Sequence, residues 1–207
     1  IMDTLTGGLM PKTLIKAGTI VTMNSERSIL REGFISIDGK LITAIGDSTS
    51  RIDERTFDRV IDARDKIVFP GLINTHTHIF QSLLRGIGQD LPVWECFAST
   101  LDKTVGFLTK QDCYIAAKLG AVEAIKSGTT CILDYNYPHP VPQLADETIK
   151  AFQEVAIRGI LARGIIDMGD VHASIVHTTE TEIQDCKRLL NEYHGLDDGM
   201  VQIWLAP

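Results

Sequence analysis

Residues 70–80 read PGLINTHTHIF, a largely apolar stretch that carries His76 and His78 one residue apart. Side chains alternate across an extended strand, so positions i and i+2 project from one face. Two imidazoles therefore leave the C-terminal end of a short, apolar, buried-looking strand together. Leaving polar side chains unpaired there is costly. The pattern allows two readings: paired ligands for a divalent ion such as Zn²⁺, or histidines satisfied by backbone carbonyls at a strand end.

Toward the C-terminus the rhythm is strand, loop, helix. Residues 109–128 (TKQDCYIAAKLGAVEAIKSG) read as a helix: Thr109 caps it, Asp112 suits its first turn, and Gly128 ends it. Ile115, Leu119, Val122 and Ile125 form its apolar stripe. A second helix over 145–159 places Ile149, Phe152 and Val155 on one face, and a third over 179–195 has a capping box from Thr179 to Glu182 and a terminal Gly195. Between them lie the apolar strands TTCILDYN, ILARGIID and VQIWLA. Continuous apolar strands separated by amphipathic helices mean a parallel sheet with helices outside, here half of an eight-unit barrel. An open doubly wound sheet is the alternative, but no glycine-rich phosphate fingerprint follows any strand.

Toward the N-terminus the pattern is short strands. Residues 12–24, 33–46 and 60–71 alternate or run apolar in bursts, with Asp38-Gly39 as a hairpin signal. The reading is an α/β chain of two domains: a small β domain of antiparallel hairpins over 1–69, and the first half of a barrel over 70–207. His76 and His78 would then stand at the C-terminal end of the first barrel strand, where barrels of this kind build their sites.

Composition narrows the function. A net charge of -7 opposes binding to nucleic acid or an anionic membrane surface. No apolar run reaches the length of a membrane span. The opening IMDTLTGGLMPK lacks the basic and apolar regions of a secretory signal. Cys96, Cys113, Cys131 and Cys186 show no paired spacing, which fits free thiols in a reducing, cytoplasmic setting. The expected partners are a small-molecule substrate and further copies of the chain.

The run VIDARDKIVFPGLINTHTHIFQSLLRG (60–86), continued by GAVEAIKSGTTCILD (120–134) and YHGLDDGMVQIWLAP (193–207), resembles the amidohydrolase superfamily, in its cytosine deaminase and triazine hydrolase branch. The resemblance covers nearly the whole chain. It implies a distorted (β/α)₈ barrel with a small β-sandwich, and a catalytic metal held by His76 and His78. Zinc is the expected ion, with iron as the alternative. The family's further ligands and acid–base residues would fall beyond Pro207, and residues 1–207 by themselves are expected to be inactive. Two-metal relatives use a lysine at the end of the fourth strand. MVQIWLAP has none, which favours one ion. Such a metal turns water into a hydroxide near neutral pH, which would attack an electron-poor ring carbon.

The same resemblance offers substrate residues. Gln81, three positions after His78, would hydrogen-bond a heterocycle, against the alternative of a solvent-facing or helix-capping amide. Trp94, after the first strand, would stack on a flat ring or plug the loop. Asp134 would meet substrate or cap the next loop, and His139 is a candidate lining residue. Arg85 is read as a salt-bridge or helix-end residue rather than a substrate contact. Thioether-nucleoside deaminases of this branch carry an acid shortly before the first helix, whereas here the nearest, Asp102, is displaced. A bare heterocycle such as a triazine, purine, pterin or pyrimidine is therefore expected over a nucleoside. The leading function is metal-dependent hydrolytic deamination of an N-heterocycle. The alternatives are dechlorination or dealkylamination of an s-triazine, a non-catalytic scaffold, and a metal store or sensor.

Overall fold

The computed structural model describes residues 10–207. The opening segment read above for a leader lies, over residues 1–9, outside the described residues. The chain divides after Pro70 into two compact units.

In the first unit β1 (Thr13–Val21), β2 (Ile29–Asp38), β3 (Leu41–Gly46) and β4 (Arg59–Val68) form one sheet in the order β3-β2-β1-β4. The β2–β3 hairpin turns at Gly39-Lys40, with Gly39 at a φ of +60°, a conformation glycine adopts without strain. One expectation fails here. β4 does not extend the antiparallel meander but pairs with β1 in parallel. The crossover that parallel pairing requires is the irregular connection between β3 and β4, which contains the single helical turn Glu54–Thr56. Leu14, Ala17, Ile20 and Ile35 form the unit's core.

The second unit is a parallel sheet of β5 (Leu72–Thr77), β6 (Thr129–Asn136), β7 (Arg158–Gly164) and β8 (Val201–Ala206), in sequential order. A doubly wound sheet would reverse its strand order at a switch point, and this one does not. It is a run of βα units in barrel order. The connection after β5 carries two short helices, α1 (Val93–Cys96) and α2 (Asp102–Thr104). The longer helices α3 (Lys110–Lys126), α4 (Leu144–Val155) and α5 (Thr179–Tyr193) follow, with the short α6 (Leu196–Gly199) before β8. Among the described residues β5 pairs with β6 alone, and Leu72 and Ile73 are exposed.

Helix α3 has the caps read from its sequence. The Thr109 hydroxyl accepts from the Asp112 N–H, and the Asp112 carboxylate accepts from the Thr109 N–H. Its buried face is another matter. Ile115, Leu119, Val122 and Ile125 are all exposed, while Cys113, Ala116, Ala117 and Ala121 are buried. Closeness of approach explains this. A Cβ at Gly120 would lie 2.6 Å from Ile79 Cγ1, so only a small-residue face fits that seat. The stripe of large apolar residues pointed to the wrong side of the helix.

Helix α4 seats Ile149 and Phe152 as expected, in two neighbouring apolar clusters. Helix α5 starts one residue earlier than its sequence suggested. Thr178, not Thr179, is the cap, and its hydroxyl accepts from the Thr181 N–H. Glu182, the expected capping-box partner, is instead buried in an ion pair with Arg163 of β7 at 2.8 Å, and Asp185 lies 3.0 Å from the same guanidinium. A buried guanidinium left unpaired would be expensive, so this pair locks α5 to β7.

The two faces of α3 yield a paired prediction. Ile115→Ser changes the unfolding free energy by less than about 0.5 kcal/mol, whereas Ala117→Leu costs about 1–3 kcal/mol by overpacking. Urea denaturation of both variants checks this, and the reverse ranking would show that the stripe is the buried face.

Candidate functional site

Strand β6 separates the site into two layers by simple alternation. Tyr135 and Tyr137 face one way and, with His78, line a cavity of about 530 Å³. Asp134 and Asn136 face the other way, toward the helices, where Asn136 Nδ2 donates to Thr148 Oγ1 of α4 at 3.3 Å.

His76 closes β5 one residue before its end, and His78 stands just past it. Their rings lie 4.9 Å apart between centroids, with planes at 82°. His78 Nδ1–H donates to the Tyr135 carbonyl at 2.9 Å. A carbonyl only accepts, so Nδ1 carries the proton and Nε2 keeps the ring's free lone pair. Burial is the main cause that lowers the pKa of His78, with the neighbouring His76 adding to it. The neutral imidazole that a metal requires is thereby favoured. Two adjacent imidazoles fit a divalent ion such as zinc, yet they are two donors where such sites usually take three from protein. Among the described residues, no group of three or more His, Cys, Asp and Glu is placed to hold a metal.

The cavity is largely aromatic and apolar. Trp94 is 76% exposed at its rim and packs edge-on against Phe97, with centroids 5.7 Å apart. Leu101 and Val105 supply its floor. Two carboxylates, Asp102 and Asp170, also line it. This placement bears on an inference drawn from sequence: displaced in register, Asp102 nonetheless reaches the cavity. Gln81 is not among the lining residues, but its Nε2 donates to the Tyr137 hydroxyl at 3.4 Å, a long contact from just behind the wall. Burial pushes the Tyr137 phenol up, so it stays protonated near neutral pH.

Asp134 lies outside the cavity. It is fully buried, with Oδ1 accepting from the Ile79 N–H at 2.7 Å and Oδ2 accepting from Asn136 Nδ2 at 3.0 Å. Burial pushes its pKa up to about 6, and the two donors hold it from rising further. Both oxygens are committed to the protein, which leaves Asp134 nothing with which to meet a substrate. Arg85 forms the surface salt bridge expected of it, a two-point contact to Glu123 at 2.6 and 2.7 Å. His139 lines a different cavity, shared with His177 and Arg163. The tyrosines escaped the sequence reading. The signal was Tyr-Asn-Tyr at the end of β6, two aromatics at a spacing of two on one strand face.

Residues 67–207 match the amidohydrolase family. The chain is 34% identical over 194 residues to a 5-methylthioadenosine/S-adenosylhomocysteine deaminase of Thermoanaerobacter pseudethanolicus, covering 94% of this chain and 42% of that one. It is 36% identical to a 5'-deoxyadenosine deaminase of Methanobrevibacter smithii, with coverages of 85% and 37%. The chain thus spans about two fifths of these relatives' length. Among solved structures it resembles a triazine hydrolase from Arthobacter aurescens, with a TM-score of 0.86 and 25% identity over 95% of this chain and 46% of that one.

His139 carries a pH prediction. Burial holds it neutral in the folded protein, down to about 3 from an ordinary 6.5, with Nε2–H donating to the Asn136 carbonyl at 2.9 Å. Below pH 6.5 the unfolded chain takes up a proton that the folded protein refuses, so this group's contribution is lost as pH falls from 6.5 toward 3. His139→Gln keeps a donor and removes the titration. Between pH 7 and 5 its unfolding free energy should shift in its favour, relative to wild type, by about 2 kcal/mol. Parallel pH dependences in urea denaturation would show that His139 titrates normally.

Proposed function

The chain belongs to the amidohydrolase family, and on that footing we propose that it forms part of a metal-dependent hydrolase that deaminates an N-heterocycle. The observation that carries this reading is the His76–His78 pair, with His78 lining the aromatic cavity and its Nε2 freed by the Tyr135 carbonyl. A bound divalent ion supplies Lewis acidity and water activation near neutral pH. Zinc is the proposed ion, since an atrazine chlorohydrolase among the similar structures is complexed with zinc. A single ion is proposed because β8 ends without a lysine.

The chain's own residues do the rest. Trp94, Tyr135 and Tyr137 offer ring faces and edges to a flat substrate, and their cavity excludes water from one side of it. Gln81 acts on the substrate through, or beside, the Tyr137 hydroxyl. Hydrolysis of a triazine substituent by the same donors is the alternative, supported by the likeness to the triazine hydrolase.

One observation favours a nucleoside over a bare ring. Asp102 and Asp170 line the same cavity as the aromatics, and a carboxylate is a ready acceptor for sugar hydroxyls. The relatives named for adenosine-type substrates point the same way.

The test is ammonia release by the zinc-loaded full-length hydrolase of which this chain forms part, from a panel of aminated heterocycles and their nucleosides. His78→Ala should remove both bound zinc and turnover. Gln81→Ala should keep zinc and lower kcat/KM by up to about tenfold, as for one lost neutral hydrogen bond. Asp102→Asn should reduce kcat/KM for nucleosides and leave bare rings unaffected. Zinc bound as tightly by His78→Ala as by wild type would end the metal reading.

A further inference from the structure

A fully buried carboxylate beside the histidine pair faces away from the cavity. Asp134 is fully buried, and its Oδ1 accepts from the N–H of Ile79, the residue that follows His78. The next residue of β6, Tyr135, accepts the His78 ring through its backbone carbonyl. Consecutive residues of one strand thus hold His78 at two points: at the peptide that leaves it, and at its ring. The Asp134 bond governs the backbone angle after Cα, and the Tyr135 bond governs the ring. His78 sits at φ -121° and ψ 82°, outside both the helical and the ordinary strand regions, where the chain passes from β5 into the helical turn Ile79–Leu84. The first N–H groups of such a turn have no partner within it, and Asp134 provides one from the neighbouring strand.

The carboxylate is itself held. Asn136 Nδ2 donates to Asp134 Oδ2 and to Thr148 Oγ1, and all three side chains are fully buried. The chain of contacts runs from α4 through β6 to the peptide after His78.

We propose that Asp134 is a positioning residue for His78: by accepting the Ile79 N–H from the helix side of β6, it holds the His78 ring against the Tyr135 carbonyl and so keeps Nε2 as its free lone pair. This deepens the metal reading of the same site and rests on it for its consequence, but not for its geometry. The orienting partners of metal-bound histidines commonly affect metal affinity by about 10–100-fold.

Two readouts in the intact protein separate this role from mere structural support. The first is the ¹⁵N signature of the His78 ring by NMR, assigned with His78→Gln, which reports the Nδ1–H tautomer with no metal present. The second is zinc affinity by competition with a chromophoric chelator. Asp134→Ala should turn the single Nδ1–H tautomer into a mixture and weaken zinc by about 10–100-fold. Asp134→Asn should rescue both. Its amide oxygen still accepts from Ile79, and its new Nδ2 can meet Asn136 Oδ1, which is buried with no hydrogen-bond partner among the described residues, once that amide turns. A lower melting temperature in Asp134→Ala, with unchanged His78 signals and zinc affinity, would overturn the proposal. If Asp134→Ala fails to fold, Asn136→Ala frees Oδ2 and should shift both readouts in the same direction by less, and no shift overturns the proposal. Failure of the wild type to bind zinc would sink the metal reading alone, leaving the tautomer signal to decide this one.

Discussion

The hydrogen bond from the Ile79 N–H to Asp134 Oδ1, 2.7 Å long and fully buried, joins the end of β5 to the end of β6. Much of the site depends on it. Among the described residues β5 pairs with β6 alone, and that ladder shifts register between Asn74 and Thr77. Backbone pairing alone leaves the last residues of β5 loosely specified. A charged acceptor reaching across from β6 fixes them, because a hydrogen bond to an ionised group is stronger than a neutral one and an orphaned buried N–H is costly. The cavity then follows from alternation. Once Asp134 and Asn136 face the helices, Tyr135 and Tyr137 must face His78.

Elements with one dominant local signal were legible in the sequence. β6 and β8 have the bounds their apolar runs suggested, and α3 has the cap that Thr109 and Asp112 encode. What failed were inferences that required knowing the neighbour. Periodicity shows that α3 has an apolar stripe, but not that a tight seat beside Ile79 at Gly120 turns the helix's small residues inward. The parallel pairing of β4 with β1 is a property of the crossover, which leaves no periodic mark. Glu182 had the spacing of a capping residue, yet the buried Arg163 was the stronger claimant, a full charge that takes both Glu182 and Asp185 as partners.

The site divides in the same way. His76 and His78 were readable because a two-residue spacing on a strand has one geometric meaning. Asp134 was placed on the cavity side because it ends a barrel strand, where function gathers. The end of a strand has two faces, and the sequence does not say which one turns inward until one residue is anchored. Tyr135 at the cavity and Asn136 against Thr148 settle the phase of β6.

The polar chain behind β6 is an odd thing for a core to contain. Asp134, Asn136 and Thr148 are fully buried, and Asn136 Oδ1 has no hydrogen-bond partner among the described residues. Burial alone pushes Asp134 upward, which is the sign of a group the interior destabilises when charged. Well-packed apolar residues in such a place are commonly as stable as a polar network or more so. Stability therefore does not account for these three residues. What apolar side chains lack is an acceptor for the Ile79 N–H and a direction in which to hold it. That direction sets the peptide after His78, and through it the ring whose Nε2 keeps its lone pair. The network has its explanation at the histidine, where local stability is given up for orientation.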